Sequence, residues 1–302
     1  MLLAKSDPDY PALLRRAPHP PAALHIAGDP MLLWHPAVAI VGSRAPSAAG
    51  AEHAFAFARA LAQAGYCVVS GLASGIDAAA HRGALSVAGR TVAVLGCGVD
   101  VVFPRGNRAL HAQIAEQGAV VSEYPPGTPA RHYQFPQRNR IVAALALGTV
   151  VVEAALRSGA LITARLAAEA GREVFALPGS IHNPKARGCH RLIRDGAALV
   201  EGPGEVIAAL SPLARSLAES LRGRLAEPAA APAGAHVTGP GLPAHAGPDY
   251  QRLWQALGHD PTSMDALVSR TGLTAAELSS MLLLMELDGH VAAEHGRYSR
   301  KR

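Results

Sequence analysis

Six short apolar runs, VAIVG (38–42), CVVSG (67–71), TVAVLG (91–96), AVVSE (119–123), TVVVEA (149–154) and EVFALPG (173–179), recur along the chain with Ala-rich helical segments between them. Their Val, Ile and Ala positions are continuous rather than alternating. Strands of that kind bury both faces, which requires a mostly parallel sheet covered by helices. The expected fold class is therefore α/β, with a Rossmann-like domain over residues 36–210. Residues 1–35 are punctuated by proline and show little periodicity, so they read as an irregular lead-in with one short helix near Pro11 to Arg16. Residues 211–248 fill with Ala, Pro and Gly, the composition of a flexible linker that buries too little apolar surface to offset chain entropy. From 249 to 302, YQRLWQAL, SMDALVSRTGL and TAAELSSMLLLMELDGHV, followed by EHGRYSR, predict three helices and a β-hairpin, the outline of a small winged-helix domain.

Aromatic residues make up only 4% of the chain, yet RHYQFPQRNRI at 131–141 crowds Arg131, Arg138 and Arg140 around Tyr133 and Phe135. Guanidinium groups hold phosphates while an exposed ring stacks on an unpaired base, so this composition points to single-stranded nucleic acid. The plainer reading is a basic turn running into a helix, with Phe135 as a core anchor. The formal charge of +5 and the pI near 9.4 agree with an anionic partner. The basic residues are almost all arginine, which suits bidentate phosphate contacts but equally follows from an Ala- and Arg-rich composition.

Phosphates are expected where strands end and helices begin, because free amides and the helix dipole face that edge. GSRAPSAAG after the first run, GLASGIDAAAH after the second, and RSGALITA after Glu153 each place Gly with Ser or Thr at such a junction. A dinucleotide enzyme fits poorly: GCGV at 96–99 has no third glycine at the required spacing, and the second strand ends in Ser70 rather than an acid. No GxxxxGK[ST] loop is present, and no cofactor is expected. Cys67, Cys97 and Cys189 lie far apart with no zinc-binding spacing, so they read as buried or incidental thiols in a reducing cytosol, and no metal is expected. No stretch reaches the roughly 20 apolar residues of a membrane span, which predicts a cytoplasmic protein with no membrane partner. Ser74, Asp77 and His81 suggest a catalytic trio, but Ser74 with Asp77 reads better as a helix cap and its third-position partner. Glu123 and Glu153 read as acceptors for nearby loops and arginines rather than as groups that polarise a substrate.

Together the strings VAIVGSR, VVSGLASGIDAAAHRGAL, GRTVAVLGCGVDVVFPRGNRAL, VVSEYPPG, FPQRNRIVAALA, VVVEAALRSGALITARLAAEAGREVFALPGS and RGCHRLIRDGA resemble the DNA-processing protein A family (DprA, also called Smf), in the family's order over roughly residues 10–200. The resemblance implies a non-catalytic protein that binds single-stranded DNA, forms a homodimer through its Rossmann-like domain and helps load RecA recombinase during natural transformation. Carried over by position, the DNA site comprises Gly42, Ser43, Arg44, Gly71, Ser74, Gly75, Phe135, Arg138, Asn139, Ser158, Gly159 and Thr163. Members often carry lysine three positions before the FP dipeptide, where this chain has His132 beside Arg131. Either Arg131 has taken over the phosphate contact, or affinity depends on pH through His132. Many members also begin with an additional small helical domain, whereas this chain starts almost at DPDYPALL, as a short or an incomplete form would.

The competing enzymatic reading is a nucleotide N-glycosidic hydrolase of the lysine-decarboxylase-like group, whose fold is similar. Its PGGxGTxxE signature is missing; LPGSIHNP and EAALRSGALIT are the nearest strings. A winged-helix transcriptional regulator is a third reading, and charge argues against it. Residues 249–302 carry six basic against seven acidic side chains, and the expected third helix, near Ala275 to Leu287, holds Glu277 and Glu286 and no basic residue. Residues 1–210 hold 19 basic against 14 acidic, so the charge that attracts DNA lies in the Rossmann-like domain. The run Met281 to Met285 reads mostly as core.

Overall fold

The computed structural model describes residues 1–226, 248–258, 262–275, 278, 281, 282, 285, 291–294 and 297–300. It divides into two compact units, Met1–Pro228 and Ala229–Arg302. In the first unit the strands are β1 (Leu2–Ala4), β2 (Ala23–Gly28), β3 (Ala37–Val41), β4 (Cys67–Ser70), β5 (Thr91–Leu95), β6 (Ala119–Ser122), β7 (Gly148–Val151), β8 (Glu173–Ala176) and β9 (Ala198–Leu199). Its helices are α1 (Ala12–Arg15), α2 (Ala48–Gln63), α3 (Ile76–Leu85), α4 (Arg108–Gln117), α5 (Gln134–Leu145), α6 (Gly159–Glu169), α7 (Arg187–Arg194) and α8 (Pro203–Ala226).

All six apolar runs form strands of one sheet, in the order β1-β2-β6-β5-β4-β3-β7-β8-β9. From β6 to β9 every pairing is parallel. Each residue of β3 is buried: Ala37, Ala39 and Val41 pack on the layer of α5 and α6, while Val38 and Ile40 pack on that of α2 and α3. This two-sided burial is why the runs are continuous in sequence. The chain leaves β3 toward β4 on one side and returns with β7 on the other. The strand order therefore reverses between β3 and β7, and a crevice opens there at the carboxyl ends.

Two segments differ from the sequence expectation. Residues 1–35 include α1 but are otherwise more regular than expected: β2 pairs antiparallel with β6, and β1 with β2. Only Leu3, Leu24 and Ile26 of these strands turn inward, too few to make a readable period. Buried Tyr10 holds the segment, its hydroxyl donating to the Pro21 carbonyl at 2.8 Å. At the other end, α8 continues to Ala226, into the stretch read as linker, with Pro212 inside it. Val206, Leu210, Ala214 and Leu217 follow one helical face onto the core, which sustains the helix beyond the proline. The remainder of the expected linker before Pro248 lies outside the described residues.

The second unit contains α9 (Pro248–Ala256), β10 (Thr262–Ser263), α10 (Met264–Thr271), β11 (Val291–Glu294) and β12 (Arg297–Arg300). β12 pairs antiparallel with β11 and with the short β10, which the sequence reading did not include. Met281, Leu282 and Met285, the described residues of the apolar run, pack with Leu253, Leu257 and Leu267 as core. Most of the expected third helix, including Glu277 and Glu286, lies outside the described residues.

His81 on α3 is fully buried beside β5. The Thr91 hydroxyl donates to the Val68 carbonyl at 2.8 Å and so accepts from His81 Nδ1–H at 2.7 Å. Among the described residues His81 Nε2 has no partner. Burial pushes the imidazole down to about 3, and the Arg138 charge adds to the shift. A folded value below the ordinary one means that this contribution to stability is complete above about pH 6.5 and is lost as pH falls toward about 3. From pH 7 to pH 5 the group is expected to cost about 2 kcal/mol, read by urea unfolding. A folded His81→Gln protein should lose that part of the acid slope; an unchanged slope would show that His81 titrates as it does in the unfolded chain.

Candidate functional site

The crevice between β3 and β7 holds a cavity of about 390 Å³. Of the residues read from sequence, Gly42, Arg44, Gly71, Phe135, Arg138, Asn139, Ser158, Gly159 and Thr163 line it. Gly75 supports the rim from behind: its φ is +80°, and a side chain there would collide with the Ser43 carbonyl, which accepts a bond from Ile76 N at 3.1 Å. Ser43, Ser74, Arg131 and His132 do not line the cavity. Ser74 is exposed, and Arg131 and His132 are exposed just before α5, with Arg131 N donating to Gln134 Oε1 at 2.6 Å.

The three glycine-rich turns are not equivalent. At the first, Ser47 caps α2, and the Glu153 carboxylate accepts bonds from Ser47 N (2.9 Å), Ser47 Oγ (2.6 Å) and Asn183 Nδ2 (3.3 Å). At the second, Asp77 Oδ2 accepts from Gly71 N (3.1 Å) and Ala73 N (3.3 Å). The expected Ser74 cap does not form: Gly75 is the N-cap of α3, and no side chain bonds there. Asp77 reaches back to the loop amides instead, and His81 turns toward Thr91, so the trio does not assemble. The first two helix starts thus face carboxylates of this chain, which repel an incoming anion. At the third, α6 has no acid in its first turn and is capped by neutral Ser158, whose Oγ accepts from Ala160 N at 3.3 Å. Its amide end is the one left electrostatically open toward the cavity.

Two arginines supply the positive charge. Arg44 is exposed, and its guanidinium lies 5.6 Å from the centroid of the Phe135 ring. Arg138 is only 4% exposed and donates from Nη1 to the Val94 carbonyl; among the described residues its Nε has no partner. Gly71 packs so closely that a Cβ there would collide with this guanidinium. Burial pushes Arg138 down from its ordinary value, and burial pushes Asp77 up, while the charge of each opposes the shift of the other. A guanidinium stays charged in proteins, so a buried cation with an unused donor borders the cavity. The carboxylate facing Arg138 is Asp77 rather than Glu123 or Glu153; Glu123 pairs with Arg140 at 2.5 Å. Phe135 is half-buried and meets Phe103 with centroids 5.1 Å apart. Asp77, read from sequence as a helix-start acid, also lines the cavity, and Phe103, which the sequence reading did not include, lies against Phe135 at its edge. VFPRGN sets an aromatic beside arginine, the same signal that marked 131–141.

The DNA recombination-mediator protein A family matches residues 1–211, and the DprA winged helix domain matches residues 237–297. The chain is 42% identical to protein Smf of Escherichia coli over 97% of its length and 75% of that protein. It is 46% identical to DNA processing protein DprA of Streptococcus pneumoniae over 67% of its length and 71% of that protein. The X-ray structure of the Streptococcus pneumoniae protein superposes with a TM-score of 0.67 at 44% identity, covering 69% of this chain and 73% of that one. A Helicobacter pylori DNA processing protein A, described for its single-stranded DNA binding mode, superposes with a TM-score of 0.62 at 32% identity, covering 67% of this chain and 93% of that one. These matches span both units and the cavity between β3 and β7: the chain belongs to the DNA recombination-mediator protein A family, DprA or Smf.

Proposed function

We propose that this chain binds single-stranded DNA in the β3–β7 crevice and acts as a recombination mediator. The observation that carries this reading is the meeting, in one cavity, of the α6 amide end, the Arg138 guanidinium and the Arg44–Phe135 pair. The volume takes a nucleotide-sized group and leaves no room for a duplex. A phosphate would sit at the start of α6, on the Gly159 amide, and on the guanidinium groups, and a base or sugar on the aromatic side. Binding rather than bond cleavage is favoured because Asp77 and His81 are occupied by loop amides and by Thr91. RecA loading, a homodimer through the Rossmann-like unit and a cytoplasmic setting belong to the same proposal and rest on family membership. Among the described residues no helix is long and apolar enough to cross a membrane.

The winged-helix unit is assigned an accessory role. Arg252 pairs with Asp249, Arg270 donates to the Ala256 carbonyl, and Arg300 packs over Trp254, so these cations are engaged within the unit.

An unstructured oligonucleotide is expected to bind more tightly than the same sequence annealed to its complement. Arg44→Ala should weaken strand binding by about 1.5 to 3 kcal/mol and flatten the dependence of log affinity on log salt. Phe135→Ala should cost about 1 to 3 kcal/mol with the slope unchanged, because stacking releases no counterions. Equal slopes for the two variants would refute this division. Arg138→Ala calls for a stability measurement instead: removing a buried cation beside Asp77 is expected to cost about 3 to 5 kcal/mol in urea unfolding. Deleting residues 245–302 should leave affinity for a short strand within tenfold, about 1.4 kcal/mol. A larger loss would place the winged helix in the primary site.

A further inference from the structure

We infer that Phe103 is a second base-stacking platform, so that a bound strand continues from the cavity across the β5–α4 loop toward Arg105 and Arg108. This rests on the single-strand reading of the cavity and extends it by a base and its flanking phosphates. Phe135, the ring expected from sequence to stack on a base, is half-buried and already meets both the Arg44 guanidinium and Phe103. Phe103 is the outer ring of the pair, 44% exposed and inclined 31° to Phe135. An aromatic face left in water beside an anion-binding cavity is what an unpaired base can cover.

The loop presents that ring on a fixed support. Gly98 N donates to the Thr128 carbonyl at 2.9 Å, and Asp100 Oδ1 accepts from Gly127 N at 2.7 Å. His111 Nε2 lies 2.9 Å from the Val99 carbonyl, which it reaches as a donor. Asn107 Nδ2 donates to the carbonyls of Leu72 (3.0 Å) and Ala73 (3.3 Å), tying the loop to the turn that edges the cavity. Ordering entropy is therefore spent on folding rather than on binding, the condition for a preformed platform. Arg105 and Arg108, which follow Phe103 in the loop and at the start of α4, are exposed, with no ion pair among the described residues. Both are free to meet successive phosphates.

The test uses the full chain with two probes, an unstructured thymidine oligonucleotide and a strand of equal length built from abasic nucleotides. Phe103→Ala is expected to weaken binding of the thymidine strand roughly tenfold, with abasic affinity changed by less than about twofold. Phe103→Tyr should restore the thymidine affinity. Equal losses on both probes would mean that the ring shapes the loop instead of stacking, and would overturn the inference. Full thymidine affinity in Phe103→Ala, with Arg44→Ala still weakened, would overturn the platform and leave the cavity reading standing. A wild-type protein that prefers the annealed duplex would remove both.

Discussion

Glu153 lies two residues beyond β7, at the reversal of strand order, and its buried carboxylate is the junction on which the crevice is built. Through Ser47 and Asn183 it joins the start of α2 to the loop before α7. Space around it is tight: a Cβ on Gly50 would meet the carboxylate, and one on Gly42 would come within 2.9 Å of the Glu153 carbonyl. A negative charge buried at this depth persists only when its oxygens are well supplied with donors, and the α2 amide end is one source of them. The α2 amide end thus faces a carboxylate of this chain. Asp77 sets a second carboxylate against the turn after β4 and also borders the cavity beside Arg138, whereas α6 carries no acid in its first turn.

Arg138 brings a buried cation to the wall of that crevice. It enters from α5, passes beneath Gly71 and ends against the Val94 carbonyl of β5. Three elements thus meet at one side chain, and among the described residues its Nε has no partner. Arg44 contributes differently: exposed and mobile in principle, it is held over Phe135 by a cation–π contact and adds charge at the rim.

The parallel sheet was legible because strands buried on both faces leave continuous apolar runs, and all six runs became strands. β1, β2 and β9 were not, since strands of two to six residues with at most two buried side chains carry no period. The cavity was legible to the extent that glycine-rich turns mark strand-to-helix junctions at the carboxyl edge. Sequence could not separate the three turns, because that depends on where Glu153 and Asp77 place their carboxylates. Asp77 was visible as a helix-start acid, but its choice of the Gly71 and Ala73 amides over a Ser74 cap follows from the three-dimensional course of the loop. Arg138 was read as a phosphate contact on composition; that it is also a buried structural cation required knowing which face of α5 meets the sheet.

We propose that, of the three similar helix starts, that of α6 is the one that accepts an anion. Backbone amide shifts of the ¹⁵N-labelled full chain, followed by NMR as an unstructured oligonucleotide is added, test it directly. The account predicts the largest shifts at Gly159, Ala160 and Leu161, with small ones at Ala48 to Gly50 and at Ile76 to Ala78. Shifts at the α2 or α3 starts that equal or exceed those at α6 would contradict it.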